Sequence, residues 1–261
     1  MDSNATGSQG RGQVRPWRWV TIAGRRWRVA GDPADSYFEW AASHARGMGE
    51  IHAVAAAILP PDGTGVALDI GANIGMAALV LGALAPAGRV VAVEPSPHIA
   101  ARLRETLSLN RMAERVAVEQ CAVSAAPGEA EFHVDSGHSA GSKLVDAGTM
   151  DRATLASPPV RVPVTTMDAL MAAHALPRLH LVKVDVEGFE GDVLDGARET
   201  IARHRPAFIL EFNAWTLLCN RNANPRTVLE DWLARFPVVH AFRGVAAPER
   251  VRPADALAFL H

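Results

Sequence analysis

The sequence predicts an α/β fold with a seven-stranded sheet, mostly parallel with one antiparallel strand and covered by helices on both faces. Three observations carry this expectation. From residue 65 onward, short apolar runs alternate with helix-patterned segments. The runs are apolar throughout rather than at every second position, as strands buried on both faces are. The last two runs, Val238–Phe242 and Ala256–Leu260, follow one another without a helical segment, and so short a connection requires antiparallel pairing.

In chain order, residues 1–13 are rich in Ser, Asn, Gly and Gln and read as a disordered tail. Residues 14–60 read as an N-terminal extension. Within it, Trp17–Ile22 and Arg25–Ala30 alternate apolar and polar side chains around Ala23-Gly24, the pattern of a β-hairpin. Residues 33–59 read as helical, and Pro60-Pro61-Asp62-Gly63 marks a linker. The main domain spans residues 61–261, with strands at Gly65–Ile70, Arg89–Val93, Val116–Val123, residues 128–134, Val160–Val164, His180–Asp185 and Ala207–Phe212. Helices are expected at Ile74–Ala85, Pro97–Asn110, Met167–His174, Glu190–His204 and Pro225–Arg235.

Composition narrows the class. The 261 residues are 49% hydrophobic, enough for a sizeable core, and carry a formal net charge of −2. Without a basic excess, nucleic acid is not an expected partner. Two cysteines, Cys121 and Cys219, are too few for a disulfide framework or a structural zinc site. No secretory signal is visible, and no apolar run reaches the about 18 residues of a membrane span. A soluble, cytoplasmic protein is expected.

The sharpest motif is Leu68-Asp69-Ile70-Gly71-Ala72-Asn73-Ile74-Gly75, between the first strand of the main domain and its helix. Gly71 permits a tight turn and close backbone approach to a ligand, and Gly75 lets the helix pack against the loop. The helix N-terminus then faces the ligand. The dinucleotide pattern G-x-G-x-x-G is absent, and an acid opens the loop instead. Asp69 suits the cationic amino-acid portion of S-adenosylmethionine better than a pyrophosphate. About twenty residues on, Glu94-Pro95-Ser96 ends the second strand, where a carboxylate can accept both ribose hydroxyls. Ser96 and Pro97 then open the next helix as N-cap and first residue. Ala122, near the end of the third strand, is placed beside the adenine.

The other end of the site is Leu181-Val-Lys183-Val-Asp185-Val-Glu187-Gly188-Phe189-Glu190, which sets one lysine and three carboxylates on and just after an apolar strand. Lys183 and Asp185 share a face because strand side chains alternate. A lysine in such a strand needs a partner, and Asp185 or Glu211 is the natural one.

Together these motifs resemble the FkbM-type methyltransferases. The resemblance rests on Asp69–Gly75 and Val182–Glu190, with Glu94-Pro95, Ala122-Val-Ser with Gly128, Val164–Leu170, Arg205-Pro206 and Glu211 at matching spacing, and it covers about residues 50–215. Phe189 and Met167 stand where the family more often has Ala and Leu, both apolar exchanges. The resemblance implies a class I methyltransferase, Rossmann-like sheet and S-adenosyl-L-methionine as cofactor. It also implies methyl transfer to a hydroxyl of a sugar, polyketide or other secondary metabolite, with a small molecule or glycan as the acceptor partner.

An alcohol acceptor must lose its proton. Asp185 is the first candidate for the base, His138 in the Gly/Ser-rich loop 136–142 the second, and Lys183 can orient Asp185 or act on the acceptor. Glu187 and Glu190 are candidates for holding either the loop or the acceptor, and Glu211 and Trp215 for lining the acceptor pocket. No metal is required, although Asp185, Glu211 and Asn213 sit at adjacent strand ends where Mg²⁺ could be held. The competing classes are a nicotinamide-dependent oxidoreductase on a similar sheet and a non-catalytic nucleoside-binding module.

Overall fold

A computed structural model describes residues 16–145, 155, 157–242 and 248–259. The chain begins with an antiparallel hairpin, β1 (Trp17–Ile22) and β2 (Arg25–Ala30), followed by α1 (Ser36–Glu39) and α2 (Ala41–Ile58). Strands and helices then alternate as β3 (Val66–Ile70), α3 (Met76–Leu84), β4 (Arg89–Val93), α4 (Pro97–Leu109) and β5 (Val116–Glu119). Four short strands follow: β6 (Ala122–Val123), β7 (Gly128–His133), β8 (Lys143–Val145) and β9 (Val160–Thr165). The alternation resumes with α5 (Met167–Ala173), β10 (Leu181–Val184), α6 (Glu190–Asp195), α7 (Arg198–His204), β11 (Ala207–Leu210), α8 (Ala214–Arg221) and α9 (Pro225–Arg235). The last elements are β12 (Val239–Ala241), β13 (Glu249–Val251) and α10 (Ala256–Phe259).

The central sheet is parallel and has five strands in the order β11-β10-β3-β4-β5. Alternation of side chains divides its strands between two cores. Ala67, Val90, Ala92 and Leu181 face α2, α3, α4 and the hairpin residues Val20, Ile22, Trp27 and Val29. Val66, Leu68, Ile70, Val91, Val93, Val182 and Val184 face α5 and the α6–α7 segment. The hairpin and α2 therefore share a core with the sheet. From β3 the chain winds one way to β4 and β5, then returns to place β10 and β11 on the other side of β3. The order thus reverses between β3 and β10, where α/β sheets bind their ligands.

Several expectations need correction. The sheet has five strands among the described residues, not seven. The anticipated third strand, Val116–Val123, is cut at Gln120-Cys121: β5 ends the central sheet, and β6 crosses into a second sheet of order β6-β9-β7-β8. As the edge strand, β5 has no outer neighbour to hold it in the central sheet, and residues 122–123 find pairing partners in Val164 and Thr165 instead. The reversed strand is not hydrogen-bonded into the central sheet; β12 and β13 pair with each other as a separate antiparallel ribbon. Ala256–Phe259 is helical rather than extended, because Pro253 opens a 3-10 turn that runs straight into it. The expected helix Glu190–His204 is interrupted at Gly196, whose carbonyl accepts from Asp168 N–H of α5. The expected tail at residues 1–13 lies outside the described residues.

Phe38 is 1% exposed and lies directly on Gly31, joining α1 to the end of the hairpin. Phe38→Ala is expected to lower stability by about 3–5 kcal/mol, read as a fall in the urea midpoint at unchanged slope.

Candidate active site

Residue register creates the first feature of the site. Lys183 of β10 lies directly opposite Asp69 of β3, so both side chains leave the same face of the sheet. Asp69 is 0% exposed and neither of its oxygens has a hydrogen-bond partner. Its counter-charge is Lys183 Nζ, 3.5 Å away. The same ammonium meets Asp185 Oδ2 at 3.2 Å and donates to the carbonyl of Gly71 at 2.8 Å. Burial disfavours the charge on Lys183, but Asp185 and Asp69 outweigh it and hold the ammonium above its usual range. Burial raises the Asp69 carboxyl, and Lys183 opposes that shift. Lys183 thus joins the loop after β3 to the end of β10.

That loop is bent to fit. Gly71 has φ +78°, and a Cβ there would lie 1.8 Å from the Asp185 carbonyl oxygen. The amides of Gly71 and Ala72 both donate to the Val93 carbonyl, tying the loop to the end of β4. Glu94 follows at that end. Its Oε2 accepts from Asn73 N–H at 3.1 Å and its Oε1 from Ser96 N–H at 2.9 Å. Burial pushes the Glu94 carboxyl up to about 7 despite these two bonds. Each oxygen keeps a further acceptor position.

Beyond Asp185, three carboxyls converge. Oxygens of Asp185, Glu187 and Glu211 lie within 4.8 Å of one another. Burial, then the charge of Asp185, pushes Glu187 up to about 8 and Glu211 up to about 9. Glu190 is different. Its Oε1 accepts from the amides of Val186 and Gly188, so it holds the turn, in which Glu187 has φ +58°.

These groups line one cavity of about 570 Å³, within the rough range of small-molecule sites. Gly71, Ala72, Asn73, Glu94, Pro95 and Ala122 lie on its wall, as do Lys183, Asp185, Glu187, Glu211 and His138. Asp69, Ile74, Gly75, Ser96 and Glu190 are not on the wall. Asp69 is shut beneath the loop, which corrects its reading as a direct ligand contact. Ile74 is buried behind the loop, and Gly75, with φ +96°, caps α3 and packs on Leu103. Ser96 caps α4 and fixes Glu94.

Trp215 also departs from expectation. It is 64% exposed and absent from the wall. It falls in the first turn of α8, a helix the sequence pattern did not suggest, and is carried outward. The cap of that helix occupies Asn213, whereas Asp185 and Glu211 stay together with Glu187 in a group that could hold a metal ion. Asn213 Oδ1 accepts from Trp215 and Thr216 N–H, while the cation at Asp185 is Lys183. Nor does Lys183 pair with Glu211; its second carboxylate is Asp69.

The roof of the cavity comes from two distant segments that sequence reasoning did not join. Asp35 caps α1 by accepting from Tyr37 N–H, and the same oxygen accepts from Ser139 N–H. Ser36 Oγ donates to the Gly137 carbonyl at 2.8 Å and therefore accepts from Nδ1 of His138 at 3.0 Å. The neutral His138 ring then keeps its lone pair on Nε2. Tyr37, the one tyrosine of the chain, lines the cavity, stacks on His44 at 4.4 Å and meets His138 edge-on at 6.2 Å. Burial, with Asp185 adding to it, raises the Tyr37 phenol far above its ordinary value. The cap at Asp35 was the one local signal for this segment; nothing in the sequence ties it to residue 139.

The methyltransferase FkbM domain profile matches residues 69–226, which run from the buried Asp69 to α9. The chain belongs to the FkbM methyltransferase family. This FkbM protein is 28% identical to the 2-O-methyltransferase NoeI of Sinorhizobium fredii over 190 residues, covering 69% of the chain and 76% of NoeI. It is 29% identical over 194 residues to the AMB antimetabolite synthetase AmbE of Pseudomonas aeruginosa, covering 62% of the chain and 9% of AmbE. Among solved structures it is similar to cofactor-bound Rv0187 from MTB, at 17% identity and a TM-score of 0.46 over 88% of this chain and 89% of that one. It is also similar to an O-methyltransferase from Bacillus cereus in complex with SAH, at 15% identity and a TM-score of 0.42 over 77% and 76% of the two chains. No helix among the described residues of this family member is long and apolar enough to cross a membrane.

Lys183→Met in this FkbM protein is expected to cost about 3–5 kcal/mol by leaving Asp69 buried and uncompensated. The double variant Asp69→Leu, Lys183→Met should recover at least half of that loss in the same denaturation experiment. Additive losses would show that the pair does not act as one unit.

Proposed function

We propose that this protein is an S-adenosyl-L-methionine-dependent O-methyltransferase acting on a hydroxyl of a small molecule or glycan, including sugars, polyketides and other secondary metabolites. The observation that carries this reading is a single cavity with a glycine-bent loop and Glu94 at one end and a carboxyl cluster at the other. Family membership and the likeness to a 2-O-methyltransferase support it.

The residues present fit the cofactor. Glu94 lines the cavity and each of its oxygens accepts from one backbone amide, which leaves acceptor capacity for a ribose diol. Gly71 leaves no room for a side chain, so the loop backbone at Gly71–Asn73 is the surface offered to the donor. Pro95 and Ala122 give an apolar wall for the adenine. The acidic end of the cavity favours a cationic amino-acid and sulfonium group over a pyrophosphate. When bound, the donor supplies an activated methyl group on a positively charged sulfur.

The protein's own task is to align an acceptor oxygen and remove its proton. Alignment alone can supply on the order of 7–11 kcal/mol. Asp185, at the end of β10 and open to the cavity, is the proton acceptor in this reading, and Lys183 fixes its position. His138 Nε2, at the roof, is the second candidate base. Glu187 and Glu211 hold the acceptor.

Calorimetric titration with S-adenosylhomocysteine tests the donor site. Glu94→Ala is expected to weaken that binding at least tenfold, or about 1.4 kcal/mol. Asp185→Asn should retain donor binding while turnover in a label-transfer assay falls by about 10²–10⁴-fold. An unmodified protein with no affinity for S-adenosylhomocysteine would overturn the proposal, and unchanged turnover in Asp185→Asn would reassign the base to His138.

A further inference from the structure

The proposed reaction leaves one polar group of the cavity without a task. Tyr37 lines the cavity, and its phenol has no hydrogen-bond partner among the described residues. The residue belongs to the segment ahead of the FkbM match. Its position is nevertheless fixed on several sides. Asp35 accepts from its backbone amide at 2.9 Å, and Phe38 beside it is buried against Gly31. Its ring stacks on His44 at 4.4 Å and meets His138 edge-on at 6.2 Å. A tyrosine has only two side-chain torsions, so such contacts set the direction of its hydroxyl.

Sheet geometry decides what the phenol faces. Ala67 and Leu181 belong to the core on one face of the central sheet, and Tyr37 packs against that core. Side chains alternate along a strand, so Asp69, Lys183 and Asp185 leave β3 and the end of β10 toward the same side. The charges acting most on the phenol are accordingly those of Asp185, Lys183 and Asp69, with Asp35 after them. Lys143, the other ammonium lining the cavity, acts on Glu187 instead. Tyr37 and Asp185 thus border the same part of the cavity without bonding to each other.

We propose that Tyr37 is a specificity-determining residue whose phenol donates a hydrogen bond to the acceptor oxygen next to the hydroxyl that Asp185 deprotonates, so that the acceptor is a vicinal diol. This inference rests on the methyl-transfer reading and adds to it the acceptor's substitution pattern and the residue that reads it. A phenol is protonated at neutral pH and donates one hydrogen bond. The reacting oxygen is a poor partner for it, because a bond to that oxygen's lone pair would weaken attack on the methyl carbon. A neighbouring oxygen carries no such conflict. Asp185 then accepts from one hydroxyl while Tyr37 donates to the next, and the two bonds together select which oxygen meets the methyl group. Tyr37 keeps its proton throughout.

The test is a cycle over protein and acceptor. S-adenosylhomocysteine calorimetry on the unmodified protein and on Tyr37→Phe comes first, with equal affinity expected. No affinity in the unmodified protein would sink the methyl-transfer reading, and this inference with it. A loss confined to Tyr37→Phe would assign the phenol to the donor and overturn the proposal alone. Label transfer is then measured to methyl hexosides and to catechol, which carry the diol on a saturated and an aromatic ring. The paired acceptors are monodeoxy hexosides and phenol itself, which lack the neighbouring oxygen. The unmodified protein is expected to prefer the better diol over its deoxy counterpart by at least about tenfold in kcat/KM. Tyr37→Phe, which keeps the ring stack on His44, should lose that preference by slowing on the diol with little change on the deoxy acceptor. A merely structural role, or one exerted by orienting Asp185, would slow both acceptors alike, and that outcome would overturn the proposal. So would a preference kept in Tyr37→Phe but lost in Lys143→Met, or transfer to neither diol by a protein that binds S-adenosylhomocysteine.

Discussion

A buried ammonium holds the two halves of the site together. Lys183 reaches across from β10 to Asp69 on β3, to Asp185 at its own strand end, and to the carbonyl of Gly71. Removing the ammonium alone would leave each of these polar partners, shielded or partly shielded from water, without its counterpart. The Gly71 carbonyl would lose its acceptor role, Asp69 would be an isolated buried anion, and Asp185 would lose the charge that orients it. One side chain thus links the loop after β3 to Asp185, although Asp69 itself does not line the cavity.

Charge varies along the cavity in a way that matches a two-part ligand. At one end Glu94 lines the cavity and is held by two backbone amides. At the other, Asp185 is compensated by Lys183 while Glu187 and Glu211 are not. Burial raises all three glutamates: at Glu94 two amide hydrogen bonds oppose it, whereas at Glu187 and Glu211 the charge of Asp185 adds to it.

Much of this arrangement was legible in the sequence because it is local. Apolar runs gave the strands of the central sheet, and the spacing of Gly71 and Gly75 gave the loop. Glu94 and Asp185 could be placed because each ends a strand, where parallel sheets direct their side chains to a common edge. What the sequence hid depends on pairing between distant segments. Strand register made Asp69 the partner of Lys183, where spacing alone left Asp185 or Glu211 as the alternatives. The cut after Glu119 followed from β5 being an edge strand, a property no local pattern records. Trp215 was misplaced because the eight residues of α8 are too few for a clear helical period.

The roof shows the same limit and has the larger consequence for function. Asp35 and Ser139 are 104 residues apart, yet one carboxylate oxygen accepts from both Tyr37 and Ser139 amides. That oxygen joins the segment before α2 to the loop carrying His138, and Ser36 repeats the connection through Gly137 and the His138 ring. The FkbM domain match begins at Asp69, so the segment supplying Tyr37 and His44 lies outside it. The glycine-bent loop and Glu94 lie within the matched region, whereas the lining residues Tyr37 and His44 do not. Residues that grip a common cofactor can be shared by a family, while those roofing the reacting end can differ with the acceptor. On the proposed methyl-transfer reading, the N-terminal segment is the part of this site where acceptor choice can be tuned without disturbing Lys183 or the loop after β3.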